Sequence, residues 1–435
     1  MILRPRNFKL FTGATSILTI ASACGVPRSL GDADDAGTQP EQPGCVIGGV
    51  SYASGDRNPA NWCEQVCQPQ NSSSSWSNVP LPACPSDIAS GAANSCAVAS
   101  GAAYCWGGDY ITSNGDAVSL TPRPVVGLPS GVTSVTVDWY GGRFCALASG
   151  NAYCWAVSGN TQGGNGSLGN GSNDVVPTPV QVQGLPSGVQ AITTSSKHSC
   201  AIANGAAYCW GSNNEGQLGD GTRIDRLTAV PVLGLSDGVQ SMSATSDETC
   251  AVRDGITYCW GTQNYAGPDT QSQQHIADSP MAVPGLGSNA ESVVVGVTTL
   301  CSIANGAAYC WGPNWEGMSG NGTMNWSAVP VPVVGFGDSV QGIAIAEYNT
   351  CGLKANRTYC WGRSIAGEIG DAGSSDSLTP VLVDGLPPAT RLSMGYDFVC
   401  VISTGHIYCM GKNDQGQLGN NSRVDSLKPV QVVGL

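Results

Sequence analysis

Seven pairs of cysteines recur along the chain, and the two members of every pair lie nine positions apart. Thiols at a fixed spacing can form disulfides or bind a metal ion such as zinc. Structural zinc takes four ligands, often from two close cysteine pairs, whereas each unit here supplies two cysteines and the chain has only 3 histidines. The spacing therefore predicts disulfides. The pairs are Cys96–Cys105, Cys145–Cys154, Cys200–Cys209, Cys250–Cys259, Cys301–Cys310, Cys351–Cys360 and Cys400–Cys409.

The element that would hold each pair is a β-hairpin. In an antiparallel hairpin, the residue numbers of two paired positions always add up to the same value. If Cys200 pairs with Cys209, the turn therefore consists of the two residues Asn204-Gly205. Such a turn needs positive φ at both positions, which Asn-Gly supplies. The two cysteines then face each other at a non-hydrogen-bonded position, about 4.5 Å apart at Cα, within the range of a disulfide. The other turns are Ser100-Gly101, Ser149-Gly150, Asp254-Gly255, Asn305-Gly306, Ala355-Asn356 and Thr404-Gly405.

Aromatic residues flank the second cysteine of each pair. A tyrosine precedes it in all seven units and a tryptophan follows it in six, with Met410 as the exception. Side chains alternate along a strand, so Tyr208 and Trp210 share one face and Cys209 lies on the other. Small and aliphatic residues fill the remaining positions, which predicts that both faces are buried between neighbouring sheets. The aromatic rings are expected to pack between sheets rather than to form a ligand cage.

The units repeat at a nearly constant period. Successive first cysteines are separated by 49, 55, 50, 51, 50 and 49 residues, and a period in this range with several strands per unit is typical of propellers. We predict an all-β fold, a seven-bladed β-propeller of four-stranded antiparallel blades, with one disulfide per blade hairpin. The ring is expected to close by packing of the first unit on the seventh, and an outer strand supplied by residues 76–82 is the alternative. The units span about 85–130, 131–187, 188–236, 237–288, 289–338, 339–388 and 389–435.

The pattern V-x-x-I … H-S-C-A-[I/L] … G-x-x-Y-C-W-G-x-N-x-x-G-Q-L-G … P-x-x-V-x-G-L resembles the regulator of chromosome condensation repeat, whose family fold is a seven-bladed β-propeller. Units depart from it individually: Ala156 replaces the glycine after tryptophan, and only the third unit keeps the histidine, His198. The paired cysteines resemble those of exported bacterial members. The founding eukaryotic member is a nuclear exchange factor for a small GTPase, and other relatives are a secreted β-lactamase inhibitor and docking propellers. An exported chain would not meet the nuclear GTPase, so fold alone does not assign the function.

The N-terminal region reads as an export signal followed by a tether. Residues 1–24 combine a basic start, a short apolar run and the sequence A-S-A-C, which resembles a bacterial lipobox and predicts acylation of Cys24. An ordinary cleaved signal peptide is the alternative. Residues 25–44 have the composition of a flexible acidic tether, and 45–84 of a small cysteine-rich segment with Cys45, Cys63, Cys67 and Cys84, whose pairing stays open. The expected location is the bacterial cell envelope, lipid-anchored at the outer membrane or cell surface, or otherwise secreted.

Composition restricts the partners. The net charge is −13 and 11% of residues are charged, which argues against nucleic-acid binding because phosphate contacts need cationic side chains. The 19 cysteines indicate an oxidising compartment. Contact with a membrane is expected only through the N-terminal lipid, and the protein is expected to be a monomer.

Catalytic motifs are missing from the sequence. His198, His275 and His406 cannot be combined by spacing with a serine and an acid, and no metalloprotease or phosphate-loop motif occurs. No cofactor and no metal site is predicted, although loops such as 212–221 leave calcium as an alternative to simple turn chemistry. We therefore expect a non-catalytic binding or scaffold propeller. An extracytoplasmic enzyme inhibitor, or a hydrolase using the central pocket, is the alternative.

One face of the ring is expected to bind the partner, a protein or polysaccharide at the cell surface. The loops between first and second strands and between third and fourth strands lie at the same end of the blades. These loops, which we call the candidate rim, vary between units, whereas the opposite end repeats the same tight turns. Aromatic and charged side chains in loops on a rigid scaffold suit binding. Its candidate residues are Trp139, Tyr140, Arg143, Lys197, His198, Asp247, Glu248, Tyr348, Tyr396 and Phe398, with Tyr110, Tyr265, Trp315 and Trp326 in the third-to-fourth loops.

Overall fold

A computed structural model describes residues 84–108, 118–138, 140, 142–156, 165–263, 275–364, 367, 369–370 and 376–435, together with the backbone of four short strands before them. Of the first two short strands, β1 (Cys45–Ile47) pairs antiparallel with β2 (Val50–Tyr52). The next two, β3 (Gln65–Val66) and β4 (Ser77–Asn78), form a second antiparallel pair. Cys84 is disulfide-bonded, while the predicted leader, Cys24 and the tether lie outside the described residues. No helix in the described part of the chain is long and apolar enough to cross a membrane.

Seven four-stranded antiparallel sheets, the blades, follow in chain order. Blade 1 is β5 (Pro85–Ser90), β6 (Asn94–Ala99), β7 (Ala102–Gly107) and β8 (Ser119–Pro124); blade 2 is β9 (Val132–Val137), β10 (Arg143–Ala148), β11 (Asn151–Ala156) and β12 (Val180–Gln181). Blade 3 is β13 (Val189–Thr194), β14 (His198–Ala203), β15 (Ala206–Gly211) and β16 (Arg226–Pro231); blade 4 is β17 (Val239–Ala244), β18 (Glu248–Arg253), β19 (Ile256–Gln263) and β20 (His275–Ala282). Blade 5 is β21 (Ala290–Val295), β22 (Leu300–Ala304), β23 (Ala307–Gly312) and β24 (Ser327–Pro332); blade 6 is β25 (Val340–Ile345), β26 (Asn349–Lys354), β27 (Arg357–Gly362) and β28 (Ser377–Leu382). Blade 7 is β29 (Ala389–Gly395), β30 (Phe398–Ser403), β31 (His406–Gly411) and β32 (Ser426–Gln431).

The first strands of the blades contact one another in a closed circle, from β5 through β9, β13, β17, β21 and β25 to β29 and back to β5. They therefore line a central channel. Ile88 and Trp106 of blade 1 share a hydrophobic cluster with Phe398 and Leu418 of blade 7. The predicted seven-bladed fold is confirmed, and the ring closes by packing of the first blade on the last.

The hairpin register agrees with the prediction from cysteine spacing. Cys200 is opposite Cys209 and Ala203 is opposite Ala206, which leaves Asn204 and Gly205 in the turn. Both turn residues have positive φ, 51° and 78°, and the same holds in all seven hairpins. Each hairpin carries its disulfide, with Cα atoms separated by 4.0 Å in blade 1 and 4.1 Å in blade 2. One disulfide per blade is confirmed.

A repeated hydrogen-bonded seam joins four of the blades to the blade that precedes each in the ring. The indole Nε1 of Trp260 donates to the backbone oxygen of Gln217 in the G-Q-L-G loop of blade 3, at 2.9 Å, and Thr249 Oγ1 donates to the same oxygen at 2.9 Å. One carbonyl thus accepts a bond from an indole and a bond from a hydroxyl. Three other seams have the same arrangement, in which an indole and a hydroxyl donate to one backbone carbonyl. Trp210 and Ser199 donate to the carbonyl of Ser167, Trp361 and Thr350 to that of Met318, and Trp106 and Ser95 to that of Gln417.

The predicted role of the tryptophans in packing between blades is therefore confirmed for four seams. The fourth of these joins blade 7 to blade 1, so the closing seam of the ring has the same contacts as three of the internal seams.

Candidate functional site

A cavity of about 380 Å³ opens at the end of the channel where the first strands end. All seven blades contribute to it, from Ser90 of blade 1 to Met394 of blade 7. The candidate rim surrounds this opening because each first-to-second loop begins where a first strand stops. We call this cavity the channel mouth.

Three aromatic side chains of the candidate rim are accessible beside the channel mouth. Tyr140 is 53% exposed and lines the opening. It lies in a first-to-second loop with two more residues than the equivalent loop of blade 3, since residues 138–142 separate the two strands of blade 2 and residues 195–197 those of blade 3. Tyr348 and Tyr396, both half-buried, pack edge to face across blades 6 and 7 with ring centroids 6.2 Å apart. Trp139, Tyr110 and Tyr265 lie outside the described residues.

Cations cover the tyrosine pair. The Arg363 guanidinium carbon lies 4.9 Å from the Tyr348 ring centroid, and Lys412 Nζ lies 5.5 Å from that of Tyr396. Both distances are within the range of cation–π attraction. A hydrogen bond with the Glu347 carboxylate, reinforced by its charge, raises the pKa of Tyr348 to about 12. The phenol therefore stays protonated and uncharged at neutral pH.

Charged side chains of blades 3 and 4 form a second accessible group. Lys197 Nζ donates to Asp247 Oδ1 at 2.7 Å, with each side chain about one third exposed (35% and 36%). The pair borders a polar cavity of about 410 Å³ that Glu215 and Gln217 also line. Exposed pairs of this kind stabilise a fold little. Because both side chains are partly exposed, a partner can reach their charges.

Trp315 extends the accessible surface in blade 5. It is 68% exposed and follows the buried Asn314 in the third-to-fourth loop. Trp326, from the same loop, is half-buried and packs against the cluster that contains Trp311. Of the two tryptophans, Trp315 is thus the one with a largely free ring.

Four candidate residues are buried, which corrects the expectation that they form the binding surface. His198 and Phe398 are fully buried, and Arg143 and Glu248 nearly so. Each is the first residue of the second strand of its blade. His198 contacts Thr249 and Arg143 contacts Ser195 of the next blade, about 50 residues away in sequence. Phe398 packs with Ile88 and Trp106 of blade 1 across the closing seam. Spacing within one loop does not reveal such contacts.

His198 joins blade 3 to blade 4. Its Nε2 lies 2.6 Å from Thr249 Oγ1, and because that hydroxyl already donates to the Gln217 carbonyl, Nε2 carries the proton. Its Nδ1 lies 3.1 Å from Ser195 Oγ. Burial lowers the pKa of His198 to about 3 from an ordinary value of 6.5. The neutral imidazole is thus a structural connector, and sequence reasoning missed its partners Ser195 and Thr249.

Arg143 joins blade 2 to blade 3 in a similar way. Its Nη1 donates to the Ser195 carbonyl at 3.2 Å. Asp138, whose Oδ1 accepts bonds from the backbone nitrogens of Gly142 and Arg143, lies close to the guanidinium. Burial lowers the pKa of Arg143, and the charge of Asp138 opposes that shift. Arg143 therefore holds the first-to-second loop of blade 3, which is part of the candidate rim, through its bond to Ser195.

The loops that resemble calcium loops are organised around an asparagine. Asn213 is buried, and its Nδ2 donates to Asp220 Oδ1 at 3.0 Å and to the Thr222 carbonyl at 2.9 Å. Its Oδ1 accepts from the backbone nitrogen of Leu218 at 3.0 Å. An amide therefore occupies the centre of this loop and satisfies the oxygens around it. Turn chemistry explains the composition of the loop.

One cluster in the described chain has the residue types of a metal site, Glu248 with Cys250 and Cys259. The two cysteines form the disulfide of blade 4. Disulfide sulfurs are not thiolates, and the thiolate is the form that binds a metal ion. The blade 4 disulfide therefore explains why these two cysteines lie together.

Comparison with known proteins gives a family model and a set of similar folds. The model of the regulator of chromosome condensation (RCC1) repeat matches residues 149–202, 204–252 and 404–435. Human WBSCR16 is similar, with 19% identity, a TM-score of 0.62, and coverage of 76% of this chain and 88% of that chain. Prp20p from Saccharomyces cerevisiae is 18% identical with a TM-score of 0.62, covering 81% of this chain and 86% of that chain.

A structure of yeast RCC1 (Prp20) with Kap60 gives 17% identity and a TM-score of 0.61, covering 94% of this chain and 91% of that chain. No curated protein sequence matches the chain. At these identities the likeness is one of fold.

Proposed function

Because the chain carries regulator of chromosome condensation repeats on a seven-bladed propeller, we propose that it is a non-catalytic binding protein whose candidate rim docks a protein partner. The observation that carries the proposal is the set of accessible rings around one end of a rigid ring, Tyr140, Trp315, Tyr348 and Tyr396. Tyrosine and tryptophan bury a large area with few rotatable bonds, so they contribute strongly to protein interfaces.

The charges beside these rings favour a protein surface with polar groups of both signs. Lys197 and Asp247 lie at blades 3 and 4, and Arg363 and Lys412 lie at blades 6 and 7. Aromatic anchors surrounded by exposed charges form the usual anatomy of a protein interface. Prp20p binds Gsp1p and histones, and yeast RCC1 (Prp20) forms a complex with Kap60. Protein ligands of these similar folds support the choice of a protein over a polysaccharide.

A hydrolase is the weaker interpretation. Ser195 and His198 are adjacent and hydrogen-bonded, and Ser195 lines the channel mouth. A general base works best with a pKa near the operating pH, whereas the pKa of His198 is about 3. The hydrogen bond from its Nε2–H to Thr249 also lacks the carboxylate that stabilises an imidazolium in serine hydrolases. These features support a structural role for the pair.

The proposal includes a location. Seven disulfides indicate that the protein folds in an oxidising, extracytoplasmic compartment. The lipobox-like A-S-A-C adds a lipid anchor on Cys24 in the cell envelope. The Cys24→Ser variant should lose the acyl mass and move from the membrane fraction to the soluble fraction. Equal membrane fractionation of both proteins, with no lipid on the wild type, would contradict the anchor.

Site-specific photo-crosslinking tests the binding face. A photoreactive phenylalanine analogue at Tyr140 or Tyr348 should crosslink the partner in intact cells, and mass spectrometry would identify it. Matched controls carry the analogue at Gln240 or Thr390, exposed residues at the starts of β17 and β29, which lie beside the hairpin turns at the opposite end of the blades. Equal or stronger crosslinking from the control positions would show that the working face is reversed.

The identified partner then allows a quantitative test with purified proteins. The variant with Tyr140, Trp315, Tyr348 and Tyr396 changed to Ala should bind at least a hundredfold more weakly, since interface aromatics cost roughly 2 kcal/mol or more each when truncated. A matched variant changes Val126, Leu233, Val334 and Val433, all about half exposed or more, to Ala and should retain binding. The rim proposal fails if the aromatic variant binds like wild type while remaining folded.

A further inference from the structure

The lining of the channel mouth is divided into two chemically different halves. Blades 3 and 4 contribute mainly polar groups, among them the hydroxyls of Thr193, Ser196, Thr245 and Ser246. These side chains come from the ends of the first strands and the loops that follow. This half of the wall can donate and accept hydrogen bonds.

The opposite half of the wall is mainly aliphatic. Blade 5 contributes Val294 and Val295, blade 6 contributes Ile343 and Ile345, and blade 7 contributes Leu392 and Met394, with the Ser393 hydroxyl as the polar exception. This half offers dispersion contacts and no side-chain hydrogen bonds at the aliphatic positions. A ligand that fits both halves must itself have an apolar part and a polar part on opposite sides.

The charged groups in the wall are acidic. Among the described residues that line the channel mouth, the only charged side chains are Asp247 and Glu248. Lys197 pairs with Asp247 but borders the neighbouring cavity instead, and Arg143 is buried behind Ser195. Low-dielectric walls that carry one sign of charge favour ligands of the opposite sign. A carboxylate or phosphate would meet no cationic side chain among the described residues of this wall.

The division also selects against a sugar. A pyranose carries hydroxyls around its whole edge, so those that face Val294, Ile345 and Leu392 would lose their hydrogen bonds with water and gain none from these side chains. Burying an unpaired hydroxyl costs about 1–3 kcal/mol on the scale of protein mutations. An aliphatic chain with a single polar end avoids this cost.

We propose that the channel mouth is a binding site for an alkylammonium group, an aliphatic chain that ends in a protonated amine. The chain lies against Val294, Ile345 and Leu392, and the ammonium faces Ser246 and Asp247. The volume of about 380 Å³ is at the small end of the range for ligand pockets. The site shares Tyr140 and Asp247 with the candidate rim, whereas Ala344 belongs only to the channel mouth, so a variant at Ala344 tests this proposal apart from the rim.

Titration of the full chain with small probes tests the site. In saturation-transfer NMR and calorimetry, n-hexylammonium chloride should bind more tightly than n-hexanol, with n-hexanoate and glucose binding at least tenfold more weakly than the amine. Equal or tighter binding of hexanoate or glucose would overturn the assignment of ligand class. Absence of hexylammonium binding at millimolar concentration would overturn the site.

Two variants locate the bound probe. Asp247→Asn should weaken hexylammonium about tenfold, because a hydrogen bond to a charged group contributes more than a neutral one, and should leave hexanol unchanged. Ala344→Phe should abolish binding of both by filling the cavity, because Ala344 lines it half-buried. Ala282→Phe, at an exposed position on the outermost strand of blade 4, is the matched control. Unchanged binding in Ala344→Phe would refute the location.

The amine could belong to a small molecule or to a lysine of a peptide. An Ala-Lys-Ala tripeptide with blocked ends distinguishes these sources. Binding comparable to that of hexylammonium would identify a site for a protruding lysine, whereas binding of hexylammonium alone would identify a site for a free alkylamine. Failure of both probes would refute the proposal.

Discussion

Replacement of Trp106 by Phe tests how the ring is closed. The Trp106 indole is fully buried between blades 7 and 1, and its Nε1 donates to the Gln417 carbonyl at 2.9 Å. Trp106→Phe should lower the free energy of unfolding by about 2 kcal/mol, about 1 from the lost hydrogen bond and about 1 from the cavity that the smaller ring leaves. Trp210→Phe, at the seam between blades 2 and 3, should have a similar cost because its contacts are equivalent.

A double-mutant cycle examines the shared acceptor. Ser95 Oγ also donates to the Gln417 carbonyl, at 3.3 Å, so each single variant leaves that oxygen one partner. Trp106→Phe combined with Ser95→Ala removes both donors and leaves a buried carbonyl without either bond, which costs about 1–3 kcal/mol. The double variant should therefore lose more stability than the sum of the single variants, by about 1 kcal/mol.

The measurement is chemical unfolding under non-reducing conditions, followed by far-ultraviolet circular dichroism. Trp315→Phe is the control, since that ring is 68% exposed and a surface change of this kind alters stability by less than about 0.5 kcal/mol. A contrary outcome would be that Trp106→Phe lowers the free energy of unfolding as little as the control does, while Trp210→Phe lowers it by about 2 kcal/mol. In that case the hydrogen-bonded seam between blades 7 and 1 does not stabilise the ring. Our account of ring closure would then be wrong.

Two further predictions concern a turn and a buried base. Thr404 is a β-branched residue at φ 46° in an exposed turn, so Thr404→Asn should raise the thermal stability by about 0.5–1 kcal/mol, whereas Asn305→Thr at an equivalent turn should lower it by as much. Because the pKa of His198 is lowered from 6.5 to about 3, the unfolded chain binds the extra proton, and stability should fall by about 1.4 kcal/mol for each pH unit from about 6.5 down to about 3. His198→Gln should lose this component of the pH dependence, as measured by unfolding at pH 7 and pH 5; identical slopes in the two proteins would contradict the assignment.

The local structure of each unit was predictable because its determinants are close in sequence. Cysteine spacing fixes the hairpin register, and a turn dipeptide such as Asn204-Gly205 meets the requirement for positive φ. The burial of His198 and Phe398 was not predictable in this way. Their cover comes from the neighbouring blade, and nothing within a single unit specifies which side chains that blade presents.

Two features of the candidate site also escape sequence patterns for physical reasons. The acceptor of the Trp260 indole is the backbone carbonyl of Gln217, and every residue type has such a group. The two-sided lining of the channel mouth depends on which residues at the ends of seven first strands face the axis. A segment such as Val293–Val295 suggests an aliphatic wall, but its position opposite the polar end of blade 3 follows only from the closed ring.

The disulfide arrangement has a consequence for how the protein matures. In the seven blades, each cysteine is bonded to its nearest cysteine neighbour in sequence, with a separation of 9 residues, as in Cys96–Cys105. A chain that enters an oxidising compartment with its N-terminus first therefore exposes the two partners of each bond in immediate succession. Short loops close within about 10–100 ns, so each pair can meet before the next pair has crossed. In this pattern each cysteine of the blades needs only the next or the preceding one along the chain, and none of these seven bonds links one blade to another.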